Sequence, residues 1–115
     1  MSQILAPVKN GQTSVILRLV IESAYKVGKT GLVFNSAGMI ISTIAENEAT
    51  ATVYTTTGST IEDIATLGTY AAPTATKCRF KEVDATNNHG LYELQLADAR
   101  FAVAGAKSLR ITLNG

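Results

Sequence analysis

The sequence predicts an all-β sandwich of roughly seven short strands with one short helical corner. Three observations carry this expectation. Segments that alternate apolar and polar residues recur along the chain, separated by turn residues. No stretch sustains an apolar period of 3.6 residues. Fifteen threonines, concentrated in the middle of the chain, favour a pleated strand over a helix.

Taken in order, Met1 to Asn10 read as an arm that ends in a turn at Asn10-Gly11. Residues 1–12 are expected to form this arm and residues 13–115 the domain. Thr13 to Ile21 is the first strand, with Val15, Leu17, Leu19 and Ile21 on one face. Its second face carries Arg18, but also Ile16 and Val20, and is too apolar for open water. Glu22 to Thr30 reads as a polar loop, Gly31 to Phe34 as a short apolar step, and Asn35-Ser36-Ala37-Gly38 as a turn. Met39 to Ala45 and Ala49 to Thr57 are the next strands, parted by Glu46-Asn47-Glu48. Ile61 to Leu67 fits a strand or a helical turn equally well, and Gly68 to Thr76 is a long Ala/Thr segment with Pro73. Lys77 to Val83 puts Cys78 and Phe80 on one side. A turn cluster, Asp84 to Gly90, leads to a strand from Leu91 to Leu96 with Tyr92, Leu94 and Leu96 pointing one way. Ala97 to Gly105 is the helical corner, with Gly105 as its C-cap. Lys107 to Leu113 closes the fold with Leu109, Ile111 and Leu113 inward.

Composition narrows the function. The 115 residues suffice for one core. Hydrophobic residues make up 46% and charged residues only 17%, a mixture that folds. A net charge of +1 supplies no field for nucleic acid or an anionic membrane, so neither is an expected partner. The apolar runs are far shorter than a membrane span, and no signal peptide is visible at the start. Cys78 is the only cysteine, so the chain has no internal disulfide, which suits folding in a reducing cytoplasm. Tryptophan is absent and aromatics are 6%, which counts against a stacking surface for sugars or bases.

Each candidate for chemistry has a plainer reading. Gly28-Lys29-Thr30 has the ending of a phosphate-binding loop, but Ser23 stands where the first glycine belongs and no helix follows; a flexible loop is expected. His89, with Asp84, Asn87 and Asn88 nearby, could ligate a metal or act as an acid–base pair, yet one histidine in such a cluster reads as turn chemistry. Glu46-Asn47-Glu48 reads as a solvated turn or a guard against edge pairing. Cys78, facing the same way as Phe80, reads as a small buried hydrophobe.

The order of the pieces carries a resemblance. A Val-rich first strand leads to Lys29-Thr30-Gly31-Leu32-Val33-Phe34. Much later come Phe80 to Leu94 with Gly90-Leu91-Tyr92-Glu93-Leu94, then Ala97-Asp98-Ala99 and Gly105-Ala106-Lys107-Ser108-Leu109. This resembles the immunoglobulin-like N-terminal domain of tailed-phage baseplate and tail-fibre (receptor-binding) proteins and related small phage structural proteins, from about Val15 to Leu113. The resemblance implies an immunoglobulin-like sandwich, a place in the virion after synthesis in the host cytoplasm, and no catalytic residues, cofactor or metal. It departs from the fibre pattern in size, since fibre proteins carry such a module before a long shaft.

The expected function is therefore that of a non-enzymatic virion subunit in tail, baseplate or head, assembling with copies of itself as a homo-oligomer or with other virion proteins. The expected contact is made by Ile4, Leu5 and Val8 of the arm with Ile16, Arg18 and Val20 of the first strand. The alternative is a carbohydrate-binding module for attachment to a host surface, which would show two or three coplanar exposed rings among Tyr25, Tyr54, Tyr70 and Tyr92.

Overall fold

A computed structural model of the chain describes residues 2–4, 10–24, 27–74 and 76–114, with the backbone alone at 2–4, 23 and 24. In chain order the strands are β1 (Ser2–Ile4), β2 (Ile16–Val20), β3 (Glu22–Ala24), β4 (Val27–Gly28), β5 (Ile40–Ala45), β6 (Thr52–Thr55), β7 (Ile61–Asp63), β8 (Cys78–Asp84), β9 (Asn88–Gln95) and β10 (Leu109–Asn114). One 3-10 turn, Asp98–Phe101, makes the corner between β9 and β10. The domain is thus an all-β sandwich. Its first sheet has the order β1-β10-β5-β6 and its second β2-β9-β8-β7, while β3 and β4 form a small hairpin. All pairings are antiparallel except β7 with β8.

The order β2-β9-β8 is that of strands B-E-D in an immunoglobulin domain, and β10-β5-β6 is that of F-C-C′. The helical corner sits where E passes to F. The position beside F, normally taken by the last strand, is taken here by β1.

Alternation explains which side chains meet. Val15, Leu17, Leu19 and Ile21 are buried on one side, as are Cys78, Phe80, Tyr92, Leu94 and Leu96 from the rest of that sheet. Ile41, Tyr54, Ile111 and Leu113 face them from the other sheet. Phe80 and Tyr92 stack with ring centroids 5.0 Å apart and planes 10° apart. Each such aliphatic or aromatic side chain contributes about 1.5–3 kcal/mol on burial. Gly105 lies in a separate turn after the 3-10 segment rather than capping it.

Two features of the region read as a polar loop differ from expectation. Glu22–Ala24 and Val27–Gly28 pair into the short hairpin. The Lys29 to Phe34 stretch is pinned from below. The Tyr92 hydroxyl donates to the Lys29 carbonyl at 2.7 Å and accepts the Leu32 amide at 3.2 Å. Glu82 accepts from the Thr30 hydroxyl at 2.7 Å and the Gly31 amide at 2.9 Å. The phosphate-loop ending is therefore held by a carboxylate where a phosphate would need donors.

The corner opposite is clamped by the acidic turn. Arg100 grips both carboxylate oxygens of Glu48, at 2.7 and 3.2 Å, and reaches the buried Thr43 hydroxyl at 2.9 Å. Asn47 donates to the Ala104 carbonyl, and Glu46 accepts from the Lys107 amide. Hydrogen bonds from Arg100 and the Ala45 amide pull the Glu48 carboxyl down from 4.5 to about 2. A depressed carboxylate stabilises the fold above its ordinary range, and that contribution is lost as pH falls through about 2. Melting temperature should therefore fall between pH 5 and 2, and less steeply in Glu48→Gln. Parallel pH profiles for the two proteins would contradict this clamp.

Candidate assembly surface

The two sheets present different outer faces. On the second sheet, Glu93 and Gln95 point away from the core, as their alternation with Tyr92 and Leu94 requires, yet both are fully buried. The segment between β7 and β8 lies over them. The Gly68 amide donates to both Glu93 oxygens at 3.1 Å, and the Ala71 amide to Gln95 at 3.0 Å. Gln95 donates to the Thr69 carbonyl and to Glu93. Arg79 reaches the Ala71, Asp63 and Ala72 carbonyls, and the Tyr70 hydroxyl donates to the Leu96 carbonyl. The Ala/Thr segment is thus a strap latched by side chains of β8 and β9, and every buried side-chain polar atom among the described residues has a partner.

This answers the question raised by the apolar second face of β2. Ile16 and Arg18 stand opposite Gln95 and Glu93. Arg18 binds Glu93 at 3.1 Å. Ile16 is half-buried, while Val20, opposite Leu91, is 60% exposed. Part of the cover is the chain's own strap, held over Glu93 and Gln95 by the Gly68 and Ala71 amides. Of the arm residues expected at a contact, Ile4 pairs with Ile111 in the first sheet. Leu5 and Val8 lie outside the described residues.

The first sheet carries no such cover among the described residues. Its inward positions are Ile41, Thr43, Ala45, Tyr54, Ile111 and Leu113. Its outward positions form rows: Asn114, Ile40 and Thr55; then Thr112, Ser42 and Val53; then Arg110 and Ile44. Ile40 is 40% and Val53 47% exposed. Arg110 is the single charge among these eight. An outward sandwich face in water should alternate to polar and charged residues. This one offers branched aliphatics and threonines instead.

The remaining candidates resolve into structure. Asp84 caps its turn by accepting the Thr86 and Asn87 amides at 3.0 Å, and His89 is exposed beside it. No group of three metal-ligating side chains occurs among the described residues. Cys78 is fully buried, and burial pushes its thiol up to about 12, far from a working thiolate. Tyr54 and Tyr92 are buried, Tyr70 is half-buried with its hydroxyl bonded, and Tyr25 lies outside the described residues. No family model matches the chain, and neither does any curated protein or solved structure.

Proposed function

We propose that this chain is a structural subunit of a tailed-phage virion, in tail, baseplate or head, and acts by protein–protein assembly with its own copies or with neighbouring virion proteins. The observation that carries this reading is the nearly uncharged outer face of the β1-β10-β5-β6 sheet. Covering Ile40, Ile44 and Val53 with a second apolar surface removes them from water at about 25 cal/mol per Å². The second sheet has its strap, whereas the first has no such cover among the described residues. Four strands about 4.8 Å apart and about 20 Å long make a face of roughly 400 Å². That is about half of what one partner buries in a standard stable interface. The face alone gives a weak contact, suited to an assembly in which many copies or several contacts act together. The phage context rests on the resemblance of the Thr30-Gly31-Leu32 step and the Gly90 to Leu94 strand. The carbohydrate-binding alternative needed exposed tyrosine rings, and the described tyrosines do not build that platform.

Val53→Lys tests the reading. It places a charge in the outward row on the edge strand β6 without touching the core, so stability should change by no more than about 0.5 kcal/mol. Sedimentation across concentrations should show self-association of the natural chain, weakened in the variant. A natural chain monomeric up to millimolar concentration, or a variant that associates equally well, overturns this use of the face.

A further inference from the structure

The strand beside β10 is the feature that goes furthest. In the immunoglobulin order that place belongs to the strand that follows F in sequence. Here it is filled from the other end of the chain. Ser2 stands opposite Leu113, Gln3 opposite Thr112 and Ile4 opposite Ile111. Without an occupant, β10 would be an open edge carrying Ile111 and Leu113, which are 4% and 3% exposed.

The chain is fastened to the body again a few residues after this strand. The Asn10 side chain donates to the Val103 and Ala106 carbonyls at 2.9 and 2.8 Å, and the Gly11 amide to the Phe101 carbonyl at 2.7 Å. These bonds fasten the chain to the helical corner before the first core residue, Val15. β1 is joined to that anchor by residues 5–9 and lies in its slot by backbone pairing at three positions.

Resting on the assembly reading above, we infer that the slot beside β10 also accepts β1 from a second copy of the chain, so that copies are linked by exchanged N-terminal strands. The strand seated in the slot shows what fits it, and the same strand of another copy brings identical contacts. The intramolecular and exchanged forms then differ mainly in effective concentration, which is millimolar for a short connection. A dilute chain closes on itself, while copies crowded by the sheet-face contact exceed that threshold and exchange.

The test uses Gln3→Cys and Thr112→Cys. Directly opposed antiparallel positions bring their Cβ atoms to about 4.5–5.5 Å, near disulfide reach. Cys78 is buried with a raised pKa and stays silent. A chain with both substitutions should close on itself at micromolar concentration. An equimolar mixture of the two single variants, oxidised at millimolar concentration, should give the mixed disulfide in excess over like-with-like pairs. Dilution to micromolar should reduce it at least tenfold. Closure of the double variant without any excess of mixed disulfide overturns strand exchange. Failure of the double variant to close overturns the slot itself. Thr112 lies in the outward row of the assembly face, so sedimentation of each single variant before oxidation shows whether the sheet-face contact is kept, and its loss is read separately from failure of strand exchange.

Discussion

Gly90→Ala is expected to lower stability by about 2–6 kcal/mol, a large part of the roughly 5–15 kcal/mol that holds a domain of this size. Two effects add. Gly90 sits at φ +89°, in the region that side-chain-bearing residues enter at a cost of about 1–3 kcal/mol. A Cβ there would also lie 2.6 Å from the Ile21 carbonyl oxygen and 2.8 Å from the Gly28 Cα. Both are backbone atoms, so relief requires strands to move, at a further cost of about 1–3 kcal/mol. The crossing is tight because β4 runs over the start of β9. The Ile21 amide donates to the Gly90 carbonyl at 2.8 Å, and the Lys29 amide to the Ile21 carbonyl at 2.8 Å. Gly28 is the other half of the contact, since its own added Cβ would meet the His89 carbonyl oxygen at 2.0 Å. Gly28→Ala should therefore be destabilising as well, and the double variant less than additive. His89→Ala, one residue away but exposed, should stay within about 0.5 kcal/mol. Urea unfolding of these four variants beside the natural chain measures this. A Gly90→Ala midpoint equal to that of His89→Ala would contradict the crossing.

That glycine pair shows where sequence reasoning stops. The turn cluster from Asp84 to Gly90 is legible because Asp, Asn and Gly favour turn dihedrals locally. That Gly28 lies against Gly90 is not, because nothing within a few residues of either records a partner so distant in sequence. The core faces of β2, β8, β9 and β10 were legible for the opposite reason. Val15, Leu17, Leu19 and Ile21, or Tyr92, Leu94 and Leu96, carry their burial in a period of two. β5 defeats that logic. Ile40 and Ile44 are outward, while Ile41 and Thr43 are inward, so both faces look alike by hydropathy. The available signal was a six-residue strand with three isoleucines and no charge, which does not tell the core face from the outer one. The strap was illegible because Gly68 and Ala71 act through their backbone amides, which any residue but proline provides. Its trace in the sequence is the acid in Leu91-Tyr92-Glu93-Leu94, which becomes informative only once that strand is known to be central. The placement of β1 depends on pairing with β10 across nearly the whole chain, and three residues hold too little pattern to announce it.

Glu93→Ala is expected to cost about 2–4 kcal/mol and to release the strap. The carboxylate is fully buried and accepts from Arg18, the Gly68 amide and Gln95. Removing it takes one acceptor from the fully buried Gln95 amide group, which keeps its bonds to Thr69 and Ala71, at about 1–3 kcal/mol, and leaves unfilled space beneath the strap. Arg18 adds little to the loss, because its side chain is 46% exposed and water can replace the carboxylate. Gly68 is exposed and can also turn to water, which frees the strap to lift. The core packing of Tyr92, Leu94 and Leu96 lies on the opposite face of the strand and should persist. The expected pattern is therefore local. Amide hydrogen exchange should accelerate by at least tenfold at Gly68 and Ala71, beyond the increase seen at Leu17 and Leu94. Glu93→Gln keeps an acceptor oxygen for Gly68 and should lose less. If Gly68 and Ala71 exchange no faster in Glu93→Ala than in the natural chain, the strap is held by its own contacts and Glu93 is not its latch.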